Sequence, residues 1–186
     1  MAITDGVVTW VGDERAGRAL NPDAEIVDLA GAFVTPGFVD THVHVTSLGL
    51  NIVGLDLVGV SSKDECLHRL SEFARTHDDD VIWGHGWDES AWDGAAEPTT
   101  AELDAAAPGR KVYLSRIDVH SAACSTPLRG SVPRLDTTAG YSAESPLGFD
   151  AHHQVRAAAR DLLTARQRER ARAAALDSIA SKGVVV

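Results

Sequence analysis

At residues 34–44 the chain runs Val34-Thr35-Pro36-Gly37-Phe38-Val39-Asp40-Thr41-His42-Val43-His44, a pattern that predicts a buried strand ending in His-x-His. Pro36-Gly37 is a turn signal, and the residues after it are rich in β-branched side chains. Because side chains alternate faces along a strand, Asp40, His42 and His44 should share one face. Two imidazoles at the end of a core strand are ligands that suit a divalent transition metal.

The rest of the chain alternates predicted strands and helices. Apolar runs around Asp5-Gly6 predict a hairpin, and Ser62-x-x-Glu65 and Thr164-x-x-Gln167 are capping boxes that mark helix starts. Further strands are predicted at 25–29, 32–34, 81–84 and 111–116, and helices at 62–77, 100–106 and in two segments after residue 150. The order strand, helix, strand predicts a parallel sheet with right-handed crossovers, and residues 126–149 look irregular.

Composition narrows the class of protein. The chain has 186 residues and a net charge of −10, which argues against nucleic-acid binding. No apolar run approaches the roughly 20 residues of a membrane helix, and the first residues show no basic stretch leading into the apolar core of a secretory signal, so we predict a cytoplasmic protein without membrane contact. Cys66 and Cys124 give no disulfide or zinc-finger spacing and are expected in the core.

Four segments together resemble a known family. They are Asp28–His44, Gly84-His85-Gly86-Trp87-Asp88-Glu89-Ser90-Ala91-Trp92, Pro98-Thr99-Thr100-Ala101-Glu102-Leu103-Asp104 and Val112-Tyr113-Leu114-Ser115-Arg116-Ile117-Asp118-Val119-His120-Ser121. In this order they resemble the amidohydrolase superfamily, in the branch of metal-dependent hydrolases that includes N-substituted formamide deformylase. The resemblance spans nearly the whole chain.

The resemblance implies an α/β fold, a (β/α)8 TIM-type barrel with a small β-sandwich domain. Such a barrel takes about 250 residues, more than this chain has. We therefore expect a partial barrel that holds the early strands. Residues 1–35 would be a remnant of the small β-domain, and residues 36–186 the first part of the barrel, ending at the start of a strand. On this interpretation the chain is an N-terminal segment of a larger enzyme and is inactive alone.

His42 and His44 are the predicted metal ligands. The resemblance implies that a bridging carboxylate or carboxylated lysine, two histidines and an aspartate come from later strands. None has a counterpart here, since Lys111 and Lys182 precede strands instead of following them. The chain therefore carries half a metal site and no catalytic residue of its own. The expected cofactor is one or two divalent ions, with zinc favoured.

Four residues are predicted to contact the substrate. Trp87 and Asp88 follow the glycines that end the strand predicted at 81–84, and there they would line the wall of a substrate pocket. For Trp87 the alternative is an aromatic side chain that covers the core. Arg116, Asp118 and His120 share one face by the two-residue period. Arg116 either pairs with Asp118 for structural reasons or reaches the substrate, and His120 is placed at the site. His152 and His153, which open a helix, are expected on the surface.

The predicted function is metal-assisted hydrolysis of a C–N bond in a small-molecule amide, formamide or cyclic amide. One alternative is a phosphoesterase of the barrel class that begins Asp-x-His-x-His. The residues before Pro36 argue against it, because that class carries the motif almost at its N-terminus. A second alternative is a non-catalytic fragment that acts through binding. Self-association is left open.

Overall fold

The computed structural model describes residues 1–185, which divide into two compact units, one of residues 1–36 and one that begins at Gly37. The strands are β1 Ala2–Thr4, β2 Val7–Trp10, β3 Leu55–Asp56, β4 Val81–Trp87, β5 Lys111–Arg116, β6 Ser121–Cys124 and β7 Leu147–Gly148. The helices are α1 Glu14–Leu20, α2 Val45–Val53, α3 Lys63–Thr76, α4 Thr100–Ala106, α5 Thr126–Arg129, α6 Phe149–Asp161 and α7 Ala165–Ala180. No helix within this described part is long and apolar enough to cross a membrane.

The first unit contains the predicted hairpin. β1 and β2 pair antiparallel around Asp5 and Gly6, whose φ angles of 50° and 78° are those of a tight hairpin turn. Helix α1 follows, with Asp13 as its N-cap, and was not predicted. The strands predicted at 25–29 and 32–34 are wrong, because neither segment joins a described sheet. A turn at Ala30-Gly31 separates them, and their apolar side chains stay exposed, Phe33 at 92%.

The second unit is built on a five-stranded sheet in the order β3-β4-β5-β6-β7. β3, β4 and β5 are parallel; the alternation of strands and helices predicted this for β4 and β5, whereas β3 was not predicted. β6 runs antiparallel to β5, and β7 runs antiparallel to β6. The last two strands lie in or beside the segment that sequence alone left irregular. The result is a mixed α/β fold in which the parallel strands β3, β4 and β5 end at one common edge of the sheet.

Each face of this sheet is covered by its own helices. One face, here called the α2/α7 face, carries Val81, Trp83 and Tyr113, which pack in one core cluster with residues of α2, α6 and α7. The opposite face, the α3/α4 face, carries Ile82 and Leu114, which pack with residues of α3 and α4. The two faces follow directly from the alternation of side chains along β4 and β5.

Local capping explains why several helices begin where the sequence predicts. Ser62 accepts a hydrogen bond from the Glu65 N–H at 3.1 Å, although Glu65 reaches back to Ser61 instead of Ser62. Thr164 and Gln167 form the complete reciprocal capping box. Such caps satisfy N–H groups that the helix itself leaves free. The structure confirms all four predicted helices, which are α3, α4, α6 and α7.

Helices α2 and α7 approach each other unusually closely. A β-carbon added to Gly49 of α2 would lie 1.8 Å from the backbone oxygen of Ala171 in α7. Only glycine allows this contact, because any side chain would overlap the neighbouring backbone. α2 leads through Gly54 directly into β3, so a helix of about 13 Å separates His44 from that strand.

His152 is buried, and its prediction as a surface residue is wrong. Only 1% of the residue is exposed, and its Nε2 lies 2.9 Å from the Tyr113 hydroxyl. Tyr113 belongs to β5 and His152 to α6, and the sequence does not signal this long-range contact. Burial, followed by the positive charge of Arg156, lowers the pKa of His152 to about 4.

The buried histidine predicts an acid-sensitive fold. Between pH 6.5 and about 4 the unfolded chain protonates His152 while the folded protein does not, so stability falls as pH decreases through this window. The loss should be roughly 3 kcal/mol, at 1.36 kcal/mol for each pKa unit. His152→Gln keeps a donor near the Tyr113 oxygen but cannot titrate. Urea denaturation of both proteins from pH 7 to pH 4 should show the difference shrinking by this amount, and parallel curves would contradict it.

Candidate functional site

His42 and His44 lie side by side immediately before α2. Their ring centroids are 5.0 Å apart with an interplanar angle of 89°, and both residues are exposed. His44 is the N-cap residue of α2, so the helix fixes the backbone of the motif. Asp40 accepts a hydrogen bond from the His42 N–H at 3.0 Å, which turns the chain just before the pair.

The predicted strand over residues 34–44 is wrong. Phe38 makes a single parallel bridge to Val184, with the Phe38 N–H donating to the Gly183 oxygen at 2.8 Å. Beyond this bridge the segment belongs to no described strand, because the turn at Asp40 and the start of α2 end its extended path. The two histidines are neighbours through this turn, not through the pleat of a sheet.

The histidine pair fits part of a metal site. Two imidazoles on one tetrahedral zinc have ring centres about 5 Å apart, since Zn–N bonds are about 2.0–2.1 Å. The observed centroid distance of 5.0 Å agrees with this arrangement. Within residues 1–185, no group of three or more His, Cys, Asp and Glu side chains is placed to hold a metal ion. That His42 and His44 are metal ligands stays a prediction.

A bulge at the end of β4 redirects Trp87. His85 pairs with Ser115, but Trp87 pairs with Arg116, so Gly86 is an extra residue in the strand. Gly86 has a φ of 92°, and a β-carbon there would lie 2.4 Å from Val58. Trp87 is consequently turned into the α3/α4 face, fully buried, with its N–H donating to the Leu114 oxygen at 2.9 Å. This position favours the core-packing alternative over direct substrate contact.

Arg116 is held by three carboxylates. Its guanidinium donates to Glu89 at 2.9 Å, to Asp118 at 2.8 Å and to Asp88 at 3.3 Å. Hydrogen bonds from Ser90, and next the charge of Arg116, lower the pKa of Asp88. Pairing of Arg116 with Asp118 is one of the two alternatives drawn from the sequence. The Glu89 contact was missed, because nothing in the sequence shows that the turn after β4 folds back on β5.

His120 lies on the exposed turn that joins β5 to β6. The strand ends at Arg116, and Val119 has a φ of 56° within the turn. The His120 N–H donates to Asp118 at 3.0 Å. The expectation that Arg116, Asp118 and His120 share one strand face is wrong, because residues 117–120 turn instead of continuing the pleat. That His120 and Asp88 contact the substrate stays a prediction, made from their positions in the sequence.

A row of polar residues that the sequence analysis did not single out crosses β3, β4 and β5 near the carboxyl ends of these strands. Asp56, His85 and Ser115 are register partners across β3, β4 and β5, so they project from the same face of the sheet. This is the α2/α7 face, since Ser115 follows Tyr113 by two residues. The His85 Nε2 lies 3.8 Å from Asp56 Oδ1. The two-residue spacing of Trp83 and His85 in β4 is the sequence signal that would have found it.

The fold is shared with a class of metal-dependent hydrolases. The crystal structure of an uncharacterized metal-dependent hydrolase from Pyrococcus furiosus matches with a TM-score of 0.75 and 26% identity, over 98% of this chain and 38% of that chain. The pattern that defines the amidohydrolase family matches residues 25–186. The chain therefore belongs to the amidohydrolase family, and the resemblance inferred from the sequence is confirmed.

Two curated proteins are similar over about two thirds of the chain. Protein LONG AFTER FAR-RED 3 of Arabidopsis thaliana is 34% identical over 124 residues, which are 66% of this chain and 21% of that protein. N-substituted formamide deformylase of Arthrobacter pascens is 29% identical over 123 residues, 64% of this chain and 23% of that protein. The matched region thus spans about a fifth of the length of these relatives.

Proposed function

We propose that this chain contributes the histidine motif of a metal-dependent hydrolase that cleaves C–N bonds in small amides, with N-substituted formamides and cyclic amides as the substrate class. The observation that carries the proposal is the exposed pair His42 and His44, 5.0 Å apart at the start of α2 in a member of the amidohydrolase family. The name of the formamide deformylase relative supports the substrate class. Zinc as the metal and a cytoplasmic location stay predictions.

The same proposal covers the fold. Three parallel strands with helices between them support the early part of a (β/α)8 barrel, a fold whose chemistry lies at the carboxyl ends of the strands. Residues 1–35 would be the remnant of a small β-domain and residues 36–186 the first part of the barrel. The hairpin of β1 and β2 supports the first of these assignments.

In this mechanism His42 and His44 would hold the divalent ion through ring nitrogens. A bound ion of this kind lowers the pKa of a coordinated water toward 7 and polarises a scissile carbonyl. Asp40 orients the motif by accepting the His42 N–H. The ion pairs of Arg116 with Asp88 and Glu89 fix the chain after β4 beside this edge. Asp88 and His120 are the proposed substrate contacts.

The activity test uses the native gene product that carries this sequence. Release of amine from a panel of N-substituted formamides and cyclic amides should be abolished by a chelator and restored by Zn²⁺ or another divalent ion, because the water needs the metal to become a nucleophile at neutral pH. Residues 1–186 alone should release no amine, since they supply two ligands. Chelator-resistant hydrolysis would contradict the metal mechanism. Hydrolysis of phosphate esters instead of amides would support the phosphoesterase alternative.

A further inference from the structure

The first turn of α2 is held differently from the middle of the helix. Gly49 and Leu50 are buried, and Gly49 lies against the backbone of Ala171 in α7. Residues 45–48 are only half-buried, so tertiary packing, the main source of helix stability in proteins, anchors this end less firmly. His44, the N-cap residue, makes no side-chain hydrogen bond to the first turn. The end of α2 that follows the histidine motif therefore gains little from packing or capping.

An arginine from α6 supplies the contact that this end of α2 lacks. The Arg160 Nη2 donates to the Ser47 Oγ at 2.8 Å, across 113 residues of sequence. Among residues 1–185 it is the one hydrogen bond made by a side chain of α2. Because the donor is a guanidinium, the bond is charge-assisted and stronger than one between neutral groups. Ser47 lies three residues after His44, so the last turn of α6 is tied to the turn that begins at the motif.

The surroundings of Arg160 argue against a role in neutralising charge. No carboxylate in the described part of the chain forms an ion pair with its guanidinium. Burial, and next the positive charge of Arg156, lower the pKa of Arg160. A partly buried charge without a counter-ion costs free energy, which the C-terminal end of the α6 dipole offsets only in part. The directed contact that Arg160 makes in return is the hydrogen bond to Ser47.

We infer that Arg160 is a positioning residue for the histidine motif. By holding Ser47 it fixes the direction in which α2 begins, and hence the backbone at His44, whose ring centroid lies 5.0 Å from that of His42. The inference rests on the proposed function for the metal and adds a residue from a distant part of the chain to the site. Residues that orient metal ligands in this way influence affinity without touching the ion.

Charge and position predict opposite results for Arg160→Ala. If only charge mattered, removing a positive side chain would strengthen Zn²⁺ binding, because like charges repel. The positioning role predicts a Kd about tenfold higher, at the lower end of the range for residues that orient metal ligands. Ser47→Ala should cause the same loss, and the double variant should lose nothing further, because both changes remove one hydrogen bond. Calorimetry with Zn²⁺ on the full chain at neutral pH measures all three values.

Arg156→Ala is the matched control. Arg156 lies one turn earlier in α6, is also half-buried, and makes no hydrogen bond to α2 within the described residues. Its removal should change the zinc Kd by less than about twofold, since screening weakens the effect of a distant charge. Ser47→Thr keeps the hydroxyl and should retain most of the affinity. Thermal melts identify any variant that is unfolded, and Ser47→Ala, which removes a single oxygen, keeps the test decisive if Arg160→Ala is unstable.

A measurement without metal separates this inference from the proposed function. In the zinc-free chain, the nuclear Overhauser effect between the ring protons of His42 and His44 should be weaker in Arg160→Ala and unchanged in Arg156→Ala. An unchanged ring contact in folded Arg160→Ala protein, or zinc binding as tight as that of a zinc-binding parent, would overturn the inference. A parent chain that binds no zinc, but whose ring contact depends on Arg160, would overturn the metal function and leave the positioning role standing.

Discussion

Replacing His42 and His44 together by alanine is expected to abolish specific zinc binding by this chain. The two rings are exposed and adjacent, and the described residues offer no third ligand that could compensate. Binding by the parent chain should itself be far weaker than that of a four-ligand structural site, because only two imidazoles contribute. Isothermal calorimetry with Zn²⁺ measures both values. In the native gene product, the same double substitution should lower amide hydrolysis more than about 100-fold, the upper range for residues that merely support a ligand.

The control for this experiment is His68→Ala with His120→Ala, which removes two other exposed histidines. Zinc affinity should then stay within about twofold of the parent value, because neither ring belongs to the adjacent pair. Co²⁺ provides a second measurement, since its paramagnetism should broaden the NMR resonances of His42 and His44 before those of other histidines. Stoichiometric zinc binding that survives removal of both motif histidines would contradict the assignment.

Gly49→Ala is expected to destabilise the second unit by about 3 kcal/mol or more. Alanine normally stabilises a helix relative to glycine by up to about 1 kcal/mol, so helix propensity alone predicts the opposite sign. The new methyl group, however, would lie 1.8 Å from the Ala171 oxygen, a backbone atom that cannot rotate away. Overpacking of a core typically costs about 1–3 kcal/mol, and here two helices must separate. Urea denaturation measures the change in the free energy of unfolding.

Gly148→Ala is the matched control for this substitution. Gly148 precedes α6, its φ is −116°, and an added β-carbon would meet nothing within 4 Å. Its effect should therefore stay within about 1 kcal/mol. Because α2 begins directly after His44, Gly49→Ala should also weaken zinc binding wherever the protein remains folded. A Gly49→Ala protein as stable as the parent would show that α2 and α7 do not pack as closely as described.

The sequence predicted the elements whose signals are local. The predicted bounds of α4 and β5 agree with the structure, and the parallel pairing of β4 with β5 follows from the helix between them. Family membership could also be predicted from the sequence, because each of the four quoted segments is a contiguous motif. The histidine pair was found for a partly wrong reason, since its neighbours come together through a turn at Asp40 and not through a strand.

Long-range contacts account for what the sequence did not predict. His152 reads as a surface residue next to His153, yet it is buried because Tyr113, 39 residues away, supplies a partner for its ring. Pairing of Arg116 with Asp118, two residues away, was one of two alternatives drawn from the sequence, whereas its contact with Glu89, in a different part of the chain, was missed. Helix α2 and strand β6 were missed for a similar reason, because packing on α7 and pairing with β5 stabilise them more than local propensity does.

By itself, then, the sequence determined the family, the parallel core of the sheet and the presence of two candidate metal ligands, because these depend on residues close together along the chain. Tertiary structure decided where side chains point. The bulge at Gly86 places Trp87 in the α3/α4 core and leaves His85 on the opposite face with Asp56 and Ser115. A one-residue change of register reverses the face of every following side chain, and register is fixed only when neighbouring strands pair.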